Sequence, residues 1–262
     1  MTTPIYYVDA FADQLFSGNP AAVIFTQMND AHLMQNIAAE NNLSETAFIR
    51  ESNGKFYIRW FAPSCEIDLC GHATLASAFI YFKYIDKSSS NIFEVSCVKH
   101  GDLKVYKKKN DNFYLDFPAD HLIREETSSL IESAIGHKLD HLYRGRDDYL
   151  VNLKSENQII NLKPDFLKLK EINARGLIVT APGDNCDFVS RCFFPSTGVD
   201  EDPVTGSAHT SLVPFWAEKT GKKKFNAKQL SSRGGKLFCE LEGSRVLIGG
   251  KAIEYMKGVI NI

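Results

Sequence analysis

The sequence predicts an α+β protein of two similar domains, each with a curved antiparallel sheet around one central helix. Stretches rich in β-branched and aromatic residues fill most of both halves of the 262-residue chain. Each half also holds one helix candidate built of apolar and small residues, as expected for a buried helix. The same motif, Arg-x-Phe-x-Pro-Ser, occurs at residues 59–64 and again at residues 191–196.

The first half contains two predicted helices and four predicted strands. Residues 31–41 follow Asn29 or Asp30, either of which is a suitable N-cap, and place apolar side chains on one face. Residues 72–84 are apolar or small nearly all round, which is typical of a buried helix. The predicted strands are Lys55–Phe61, Asn91–Cys97, Leu103–Lys107 and Phe113–Phe117.

The second half contains three predicted helices and five predicted strands. Residues 208–220 form the counterpart of the buried helix, with Pro214 placed to kink it. Two shorter helices are predicted at residues 127–135 and 166–170. The predicted strands are Tyr149–Leu153, Gly176–Thr180, Phe188–Phe193, Leu237–Leu241 and Val246–Ile248.

The order of elements after each copy of the motif indicates a duplication. An acidic segment follows each copy, at residues 66–68 and at residues 200–202. A glycine then opens a small-residue helix, Gly71 in the first half and Gly206 in the second. Because strand, turn, acidic loop and helix recur in one order, two related domains explain the pattern better than chance does.

The boundary between the two domains is predicted near residues 117–122, where Pro118 interrupts a strand pattern. This gives an N-terminal domain of residues 1–117 and a C-terminal domain of residues 118–262. Return of the last strand to the first domain is left open, because the sequence pattern does not assign its partner strand.

Composition excludes several classes of protein. Thirty Lys and Arg against 32 Asp and Glu give a net charge of −2, without the basic surface of a nucleic-acid-binding or membrane-surface protein. The first residues lack a secretory signal, and no apolar run approaches the roughly 20 residues that span a membrane. Six cysteines at irregular spacing form no disulfide pattern, so the sequence predicts a cytoplasmic protein with reduced thiols.

The starts of the two buried helices form a candidate anion site. A helix N-terminus presents unpaired N–H groups and a partial positive charge, so the turns at Gly71 and Gly206 could each help to bind a carboxylate. The alternative is that each glycine only permits a tight turn onto a buried helix. Because the feature is duplicated, we favour the anion site.

Four polar residues are candidates for the chemistry. Glu45 lies among apolar and small residues, and partial burial suits a carboxyl group to general acid or base work, with a surface or helix-capping role as the alternative. His72 and Asp202 could donate a proton or orient a substrate, or could be structural. Ser207 is interpreted as a hydroxyl donor rather than a nucleophile, because Gly-x-Ser-x-Gly is absent.

The sequence predicts neither a metal nor an organic cofactor. Cys65, Cys70 and His72 supply only three ligands, and no matching pair occurs elsewhere, so a zinc site is the weaker interpretation. The glycine-rich patterns of nucleotide-binding loops, Walker A and Gly-x-Gly-x-x-Gly, are both absent.

Five sequence blocks resemble the phenazine-biosynthesis PhzF-like family of isomerases. They read Val-Asp-Ala-Phe, Ser-Gly-Asn-Pro-Ala-Ala-Val, Asn-Leu-Ser-Glu-Thr-Ala-Phe, Leu-Cys-Gly-His-Ala-Thr and Asp-Glu-Asp-Pro-Val-Thr-Gly-Ser-Ala-His. They begin at residues 8, 17, 42, 69 and 200 and follow the family's order over nearly the whole chain. Several independent blocks in one order are far more specific than any single motif.

The resemblance implies the diaminopimelate-epimerase fold, two similar α+β domains with the active site between them, and a homodimer that acts in biosynthesis. It implies that Glu45 moves a proton between carbons of a small substrate. It also implies that His72, Asp202 and Ser207 complete the active site. The helix starts would hold the substrate carboxylate, and the matching residues there are Gly71, Ala73, Thr205, Gly206 and Ala208.

One departure from the racemases that share this fold is informative. Those enzymes use one Cys from each domain as a pair of bases, whereas here Cys70 stands at the first position and Thr205 at the second. A hydroxyl is far too weak an acid to replace a thiol, so the sequence favours a one-base isomerase. An amino-acid epimerase or racemase, a silent carboxylate-binding protein and, least favoured, a metal-dependent hydrolase are the alternatives.

Overall fold

The computed structural model describes residues 2–86 and 90–262. The chain divides into two compact units, one formed by the residues up to Asp116 with Gly249–Ile262, the other by Phe117–Ile248. The C-terminal strand is therefore part of the first unit. The division into two related domains at 117/118 stays a prediction, and the two compact units are described below one at a time.

The secondary structure consists mainly of strands. The strands are β1 (Thr2–Ala10), β2 (Asn19–Phe25), β3 (Glu45–Ser52), β4 (Lys55–Phe61), β5 (Glu66–Ile67), β6 (Ile92–Cys97), β7 (Gly101–Lys108), β8 (Asn112–Pro118), β9 (Ile123–Glu125), β10 (Leu142–Arg144), β11 (Asp148–Asn152), β12 (Gly176–Pro182), β13 (Phe188–Phe193), β14 (Lys224–Gln229), β15 (Gly235–Glu242), β16 (Arg245–Gly250) and β17 (Ala252–Asn261). The helices are α1 (Ala31–Asn41), α2 (Gly71–Ile80), α3 (Ser129–Ile135), α4 (Glu156–Ile160), α5 (Phe166–Leu169) and α6 (His209–Thr220). Within the described residues, no helix is long and apolar enough to cross a membrane.

The first unit is a mixed sheet with a helix on each face. Its strands pair in the order β17, β1, β2, β3, β4, β6, β7, β8, and the pairs β2–β3 and β4–β6 are parallel while the others are antiparallel. Helix α1 covers one face, where Met34 and Ile37 pack with Phe48 and Phe61. Helix α2 packs against β1, β2 and β3 and buries eight of its ten residues.

The second unit repeats this arrangement. Its strands pair in the order β9, β10, β11, β12, β13, β14, β15, and the pairs β11–β12 and β13–β14 are parallel. Helices α3, α4 and α5 cover one face with one apolar cluster. Helix α6 is the counterpart of α2, and its Trp216 Nε1 donates to Thr180 Oγ1 at 3.0 Å.

The expected sheets were antiparallel throughout, and the structure corrects this detail. Parallel pairs arise because α1 connects β2 to β3, and α4 and α5 connect β11 to β12. A helical crossover returns the chain to the same end of the sheet, which allows a parallel neighbour. The α+β class itself is confirmed.

The register of the repeated strands aligns the two units residue by residue. Phe61 of the first motif pairs with Thr46, and Phe193 of the second pairs with Leu177. By this alignment Glu45, one residue before Thr46, corresponds to Gly176, one residue before Leu177. The duplication seen in the sequence is therefore also a duplication of strand register.

The motif arginines have the same contacts in both units. Arg59 Nε and Nη2 donate to the two carboxylate oxygens of Glu66 at 2.7 and 2.8 Å. Arg191 Nε and Nη2 donate to those of Glu201 at 2.7 and 2.9 Å. Each guanidinium carbon also lies 5.1 Å from the centre of a phenylalanine ring two residues later. The repeated motif therefore encodes a bidentate ion pair that fixes the acidic loop to the strand.

Most predicted elements are confirmed, with shifted ends. Helix α1 has its predicted bounds, and the Asp30 carboxylate caps it by accepting from the N–H groups of His32 and Leu33. The predicted helix 72–84 begins at Gly71 and changes at Tyr81 to a π-helical turn. Prediction missed five of the longer strands, which are β1, β2, β3, β14 and β17.

Candidate active site

Glu45 and His72 form an ion pair in the first unit. Glu45 is the first residue of β3, where it pairs with Ala21 of the parallel neighbour β2. His72 is the second residue of α2. The two side chains are 18% and 7% exposed, and Glu45 Oε2 lies 2.9 Å from His72 Nε2. The sheet and the helix thus bring together two residues that are 27 positions apart in the sequence.

Cys70 contacts the same imidazole. It is the N-cap residue of α2 and is buried. Its sulfur is 3.5 Å from His72 Nδ1 and 4.0 Å from Nε2, so the thiol contacts the ring near both nitrogens. His72 therefore contacts both a carboxylate and a thiol.

The surroundings of His72 change its protonation. Burial disfavours the imidazolium, but the contacts with Cys70 and Glu45 outweigh burial and raise the pKa of His72 well above its ordinary value. Burial, together with the Glu45 charge, raises the pKa of the Cys70 thiol. We therefore describe the resting site as an imidazolium beside the Glu45 carboxylate, with Cys70 as a neutral thiol.

The same three side chains are the one group in the described part of the chain whose spacing could suit a metal ion. Ligand atoms of Glu45, Cys70 and His72 all lie within 4.8 Å of one another. Cys65, which the zinc interpretation included, is exposed and is not part of this group. Three ligands are one fewer than a structural zinc site requires, although a catalytic zinc can be held by three.

The predicted residues of the second half are held together by Gln229 of β14. The Thr205 hydroxyl donates to Asp202 Oδ2 at 2.5 Å. The fully buried Gln229 accepts from the Thr205 N–H at 2.9 Å and donates to the Asp202 carbonyl at 2.8 Å. The side-chain amide of Gln229 therefore stabilises the loop that carries Asp202 and Thr205.

Ser207 contacts an ion pair that the sequence analysis missed. Arg175 Nη2 donates to Ser207 Oγ at 3.3 Å. The same guanidinium donates from Nε to Asp148 Oδ1 at 2.9 Å, and Nη2 also contacts Asp148 Oδ2. Asp148 is buried, whereas the Arg175 side chain is 36% exposed. The three residues are far apart in sequence and share no motif, so no signal in one sequence could have joined them.

The second helix start differs from the expected one. Helix α6 begins at His209, three residues after Gly206, because residues 206–208 form a tighter turn in which the N–H groups of His209 and Thr210 bond the carbonyls of Gly206 and Ser207. The sequence Thr205-Gly206-Ser207-Ala208 still matches Cys70-Gly71-His72-Ala73 residue for residue. Ser207 is therefore the counterpart of His72.

His209 is a structural residue by the same alignment. It matches Thr74, whose hydroxyl donates to the Cys70 carbonyl at 2.6 Å. His209 Nδ1 lies 2.9 Å from the Thr205 carbonyl, also four residues earlier. Burial lowers the pKa of His209 to about 4, so its imidazole is neutral at physiological pH. Thr74 and His209 therefore each stabilise the turn at the start of their own helix.

The predicted site residues thus form two groups, each described within its own unit. The first is Glu45, His72, Gly71 and Ala73, to which Cys70 is added. The second is Asp202, Thr205, Gly206, Ser207 and Ala208, to which Arg175, Asp148 and Gln229 are added.

Comparison with known proteins agrees with this fold. The family model described as phenazine biosynthesis-like protein matches residues 8–258. A curated protein of Pseudomonas aeruginosa, described as an uncharacterized isomerase, is 44% identical over the whole of both chains. The crystal structure of a PhzF-family phenazine biosynthesis protein from Enterococcus faecalis is 45% identical, covers all of both chains and superposes with a TM-score of 0.96.

A more distant structure shows the fold alone. A hydroxyproline epimerase from Agrobacterium vitis is 10% identical, covers 99% of this chain and 92% of its own, and has a TM-score of 0.64. The repeated arrangement of sheet and helices in the two units is thus the diaminopimelate-epimerase-like fold. With a family match over nearly its whole length and isomerases among its relatives, the chain belongs to the PhzF-like family of isomerases.

Proposed function

We propose that the protein is a cofactor-independent isomerase that moves a proton between carbons of a small, carboxylate-bearing substrate, with Glu45 as the base. The observation that carries this proposal is the 2.9 Å contact between Glu45 Oε2 and His72 Nε2 at the start of a buried helix. It gives a partly exposed carboxylate a cationic partner. General acid–base catalysis of this kind contributes about 10²–10⁴ in rate.

The proposed reaction has two proton transfers. The Glu45 carboxylate takes a proton from a carbon whose C–H bond is acidified by a neighbouring carbonyl, imine or conjugated double bond. The carboxyl group, which is partly exposed, exchanges this proton with solvent and then protonates another carbon of the delocalised anion. His72 contacts the carboxylate through the ion pair, with His72 Nε2 2.9 Å from Glu45 Oε2.

The duplication supports one base rather than two. The position of Glu45 is taken by Gly176 in the second unit, and the position of Cys70 is taken by Thr205. The Thr205 hydroxyl donates to Asp202, so it is engaged as a structural donor. A two-base epimerase needs a second group that carries a proton. At the positions that match Glu45 and Cys70, the second unit has neither a carboxylate nor a thiol.

We propose that the turns at residues 71–73 and 206–208 bind the substrate carboxylate, with Asp202 and Ser207 orienting the rest of the substrate. The support is the partial positive charge of helix starts and the Ser207 hydroxyl. A substrate position between the two domains and a homodimer rest on the family resemblance alone.

Two other functions are compatible with the fold. An epimerase is favoured by the distant hydroxyproline epimerase only at the level of fold. A silent carboxylate-binding protein could retain the same polar groups. The epimerase and the binding protein each differ from the proposed isomerase in how they exchange carbon-bound hydrogen. Hydrogen exchange therefore distinguishes the three functions.

The experiment is NMR in deuterium oxide with the wild-type protein and a panel of small cyclic or unsaturated carboxylates and amino carboxylates. Deuterium at a carbon other than the one that loses hydrogen, together with a shifted double bond, would support the isomerase. Deuterium at the original carbon with inverted configuration would indicate an epimerase. Binding by line broadening without any exchange would indicate the silent binding protein.

A further inference from the structure

Ser207 and His72 are matched residues of the two helix starts, and each is contacted by a side chain at the start of an earlier strand of the same unit. His72 is held by Glu45, the first residue of β3. Ser207 is held by Arg175, which directly precedes β12. The duplicated scaffold therefore places the Glu45 carboxylate in contact with one helix start and the Arg175 guanidinium in contact with the other.

The guanidinium of Arg175 has a fixed orientation. Its Nε and Nη2 atoms contact both carboxylate oxygens of the buried Asp148, and its plane lies against the Phe194 ring with the guanidinium carbon 4.9 Å from the ring centre. A bidentate pair of this kind has a defined geometry. The remaining Nη2 hydrogen is directed to Ser207 Oγ at 3.3 Å.

This hydrogen bond determines how Ser207 can act. A hydroxyl that accepts from a guanidinium keeps its own O–H hydrogen for another acceptor. Within the described part of the chain, the Ser207 hydroxyl donates to no protein acceptor, and the N–H groups of Gly206, Ser207 and Ala208 have no acceptor either. Three N–H groups and the Ser207 hydroxyl, four hydrogen-bond donors in all, therefore remain available to a ligand at this turn.

We propose that Arg175 is a positioning residue that turns the Ser207 hydroxyl into a hydrogen-bond donor for the substrate carboxylate. This inference rests on the proposed function, because it assigns the carboxylate to the turn at residues 206–208. Arg175 acts through Ser207. Because its charge is largely balanced by Asp148, its contribution is one of orientation rather than of net positive charge.

The test uses benzoate as the carboxylate probe and benzamide as its neutral analogue, with dissociation constants measured by calorimetry. The variants are Arg175→Lys, Ser207→Ala and the double variant. Lysine keeps a cation beside buried Asp148, which protects the fold, but it cannot make the bidentate pair and the Ser207 bond together. Arg124→Lys, at an exposed arginine of the same unit, is the matched control.

We expect Arg175→Lys and Ser207→Ala each to weaken benzoate binding about tenfold, the loss of one hydrogen bond to a charged group. Benzamide binding should hardly change, and the double variant should bind benzoate no more weakly than Ser207→Ala alone. The unchanged benzamide affinity separates positioning from a general distortion of the turn.

Four results would overturn the inference. Equal losses for benzoate and benzamide would assign Arg175 a purely structural role. Full additivity in the double variant would mean that Arg175 does not act through Ser207. Wild-type-like benzoate affinity of Arg175→Lys would contradict the inference alone, whereas failure of the wild-type protein to bind benzoate would contradict the carboxylate site of the proposed function as well.

Discussion

Glu45 and Gly176 occupy the same position in the two copies of the repeated strand pair. The alignment follows from strand register, because Thr46 lies opposite Phe61 and Leu177 lies opposite Phe193. One copy of the scaffold therefore carries a carboxylate where the other has no side chain. This asymmetry within a duplicated fold is the structural basis for a one-base reaction.

The second unit also has no room for a side chain at position 176. A Cβ atom on Gly176 would lie 2.2 Å from Phe194 Cδ1 and 2.3 Å from the Phe193 carbonyl oxygen. We expect Gly176→Ala to lower the free energy of unfolding by about 2 kcal/mol or more, as overpacking does. Gly258→Ala is the control, because its new Cβ would approach no atom closer than 3.8 Å. Urea denaturation of both variants measures the difference, and equal stability would contradict the crowding.

The raised pKa of His72 predicts a fall in stability above neutral pH. The folded protein binds the His72 proton more tightly than the unfolded chain, so the ion pair stabilises fully below about pH 6.5. This contribution is lost as the pH rises through the raised pKa. Denaturation from pH 6 to pH 9 should show the loss in the wild-type protein and a flatter profile for His72→Gln. An identical profile in that variant would be evidence against the ion pair, and His121→Gln, at an exposed histidine, is the control.

The lowered pKa of His209 predicts that the stability of the protein falls at acid pH. Its pKa of about 4 lies below that of an unfolded histidine, near 6.5, so protonation favours the unfolded chain. The stability that the neutral ring contributes is present above about pH 6.5 and is lost as the pH falls toward 4, to a total of about 3 kcal/mol. His209→Asn retains a donor for the Thr205 carbonyl but does not titrate. Its stability should vary less than that of the wild-type protein between pH 7 and pH 4.5; a parallel loss would refute the prediction.

The two motif ion pairs should differ in strength. Arg191 and Glu201 are 12% and 19% exposed, and Arg191 Nη1 also donates to the carbonyls of Ile159 and Leu162. Arg59 and Glu66 are 27% and 44% exposed. We expect Glu201→Gln to destabilise the protein by about 3 kcal/mol, as breaking a buried pair does, and Glu66→Gln by less than about 1 kcal/mol. Chemical denaturation of the two matched variants compares them directly, and equal losses would show that burial does not set the difference.

The sequence predicted the duplication because local chemistry repeats in it. The Arg-x-Phe-x-Pro-Ser copies are short, contiguous patterns, and they reappear as matched ion pairs. The glycine-led pattern opens a helix at Gly71, whereas Gly206 lies three residues before the start of α6. Strands such as β2 and β3 were missed because they are buried on both faces or contain Pro20 and runs of alanine, so they show neither alternation nor strong strand propensity.

The supporting residues of the site could not be predicted in the same way. Arg175 reaches Ser207, Asp148 reaches Arg175 and Gln229 reaches Thr205 only after strands β11, β12 and β14 are assembled, at sequence separations of 24 to 32 residues. Nothing in one sequence distinguishes such a buried Gln or paired Asp from an ordinary surface residue. Glu45 and His72 were found because each lies in a block that resembles the family.

The most direct test of the central claim is the rate of solvent-deuterium incorporation at substrate carbon, compared between Glu45→Gln and Glu51→Gln. Both variants remove one carboxylate from β3 by the same chemical change, but Glu51 is exposed at the far end of the strand. If Glu45 is the base, Glu45→Gln should abolish exchange, with the fold and carboxylate binding retained, while Glu51→Gln exchanges like the wild-type protein. Exchange at the wild-type rate in Glu45→Gln would contradict the claim that Glu45 moves the proton.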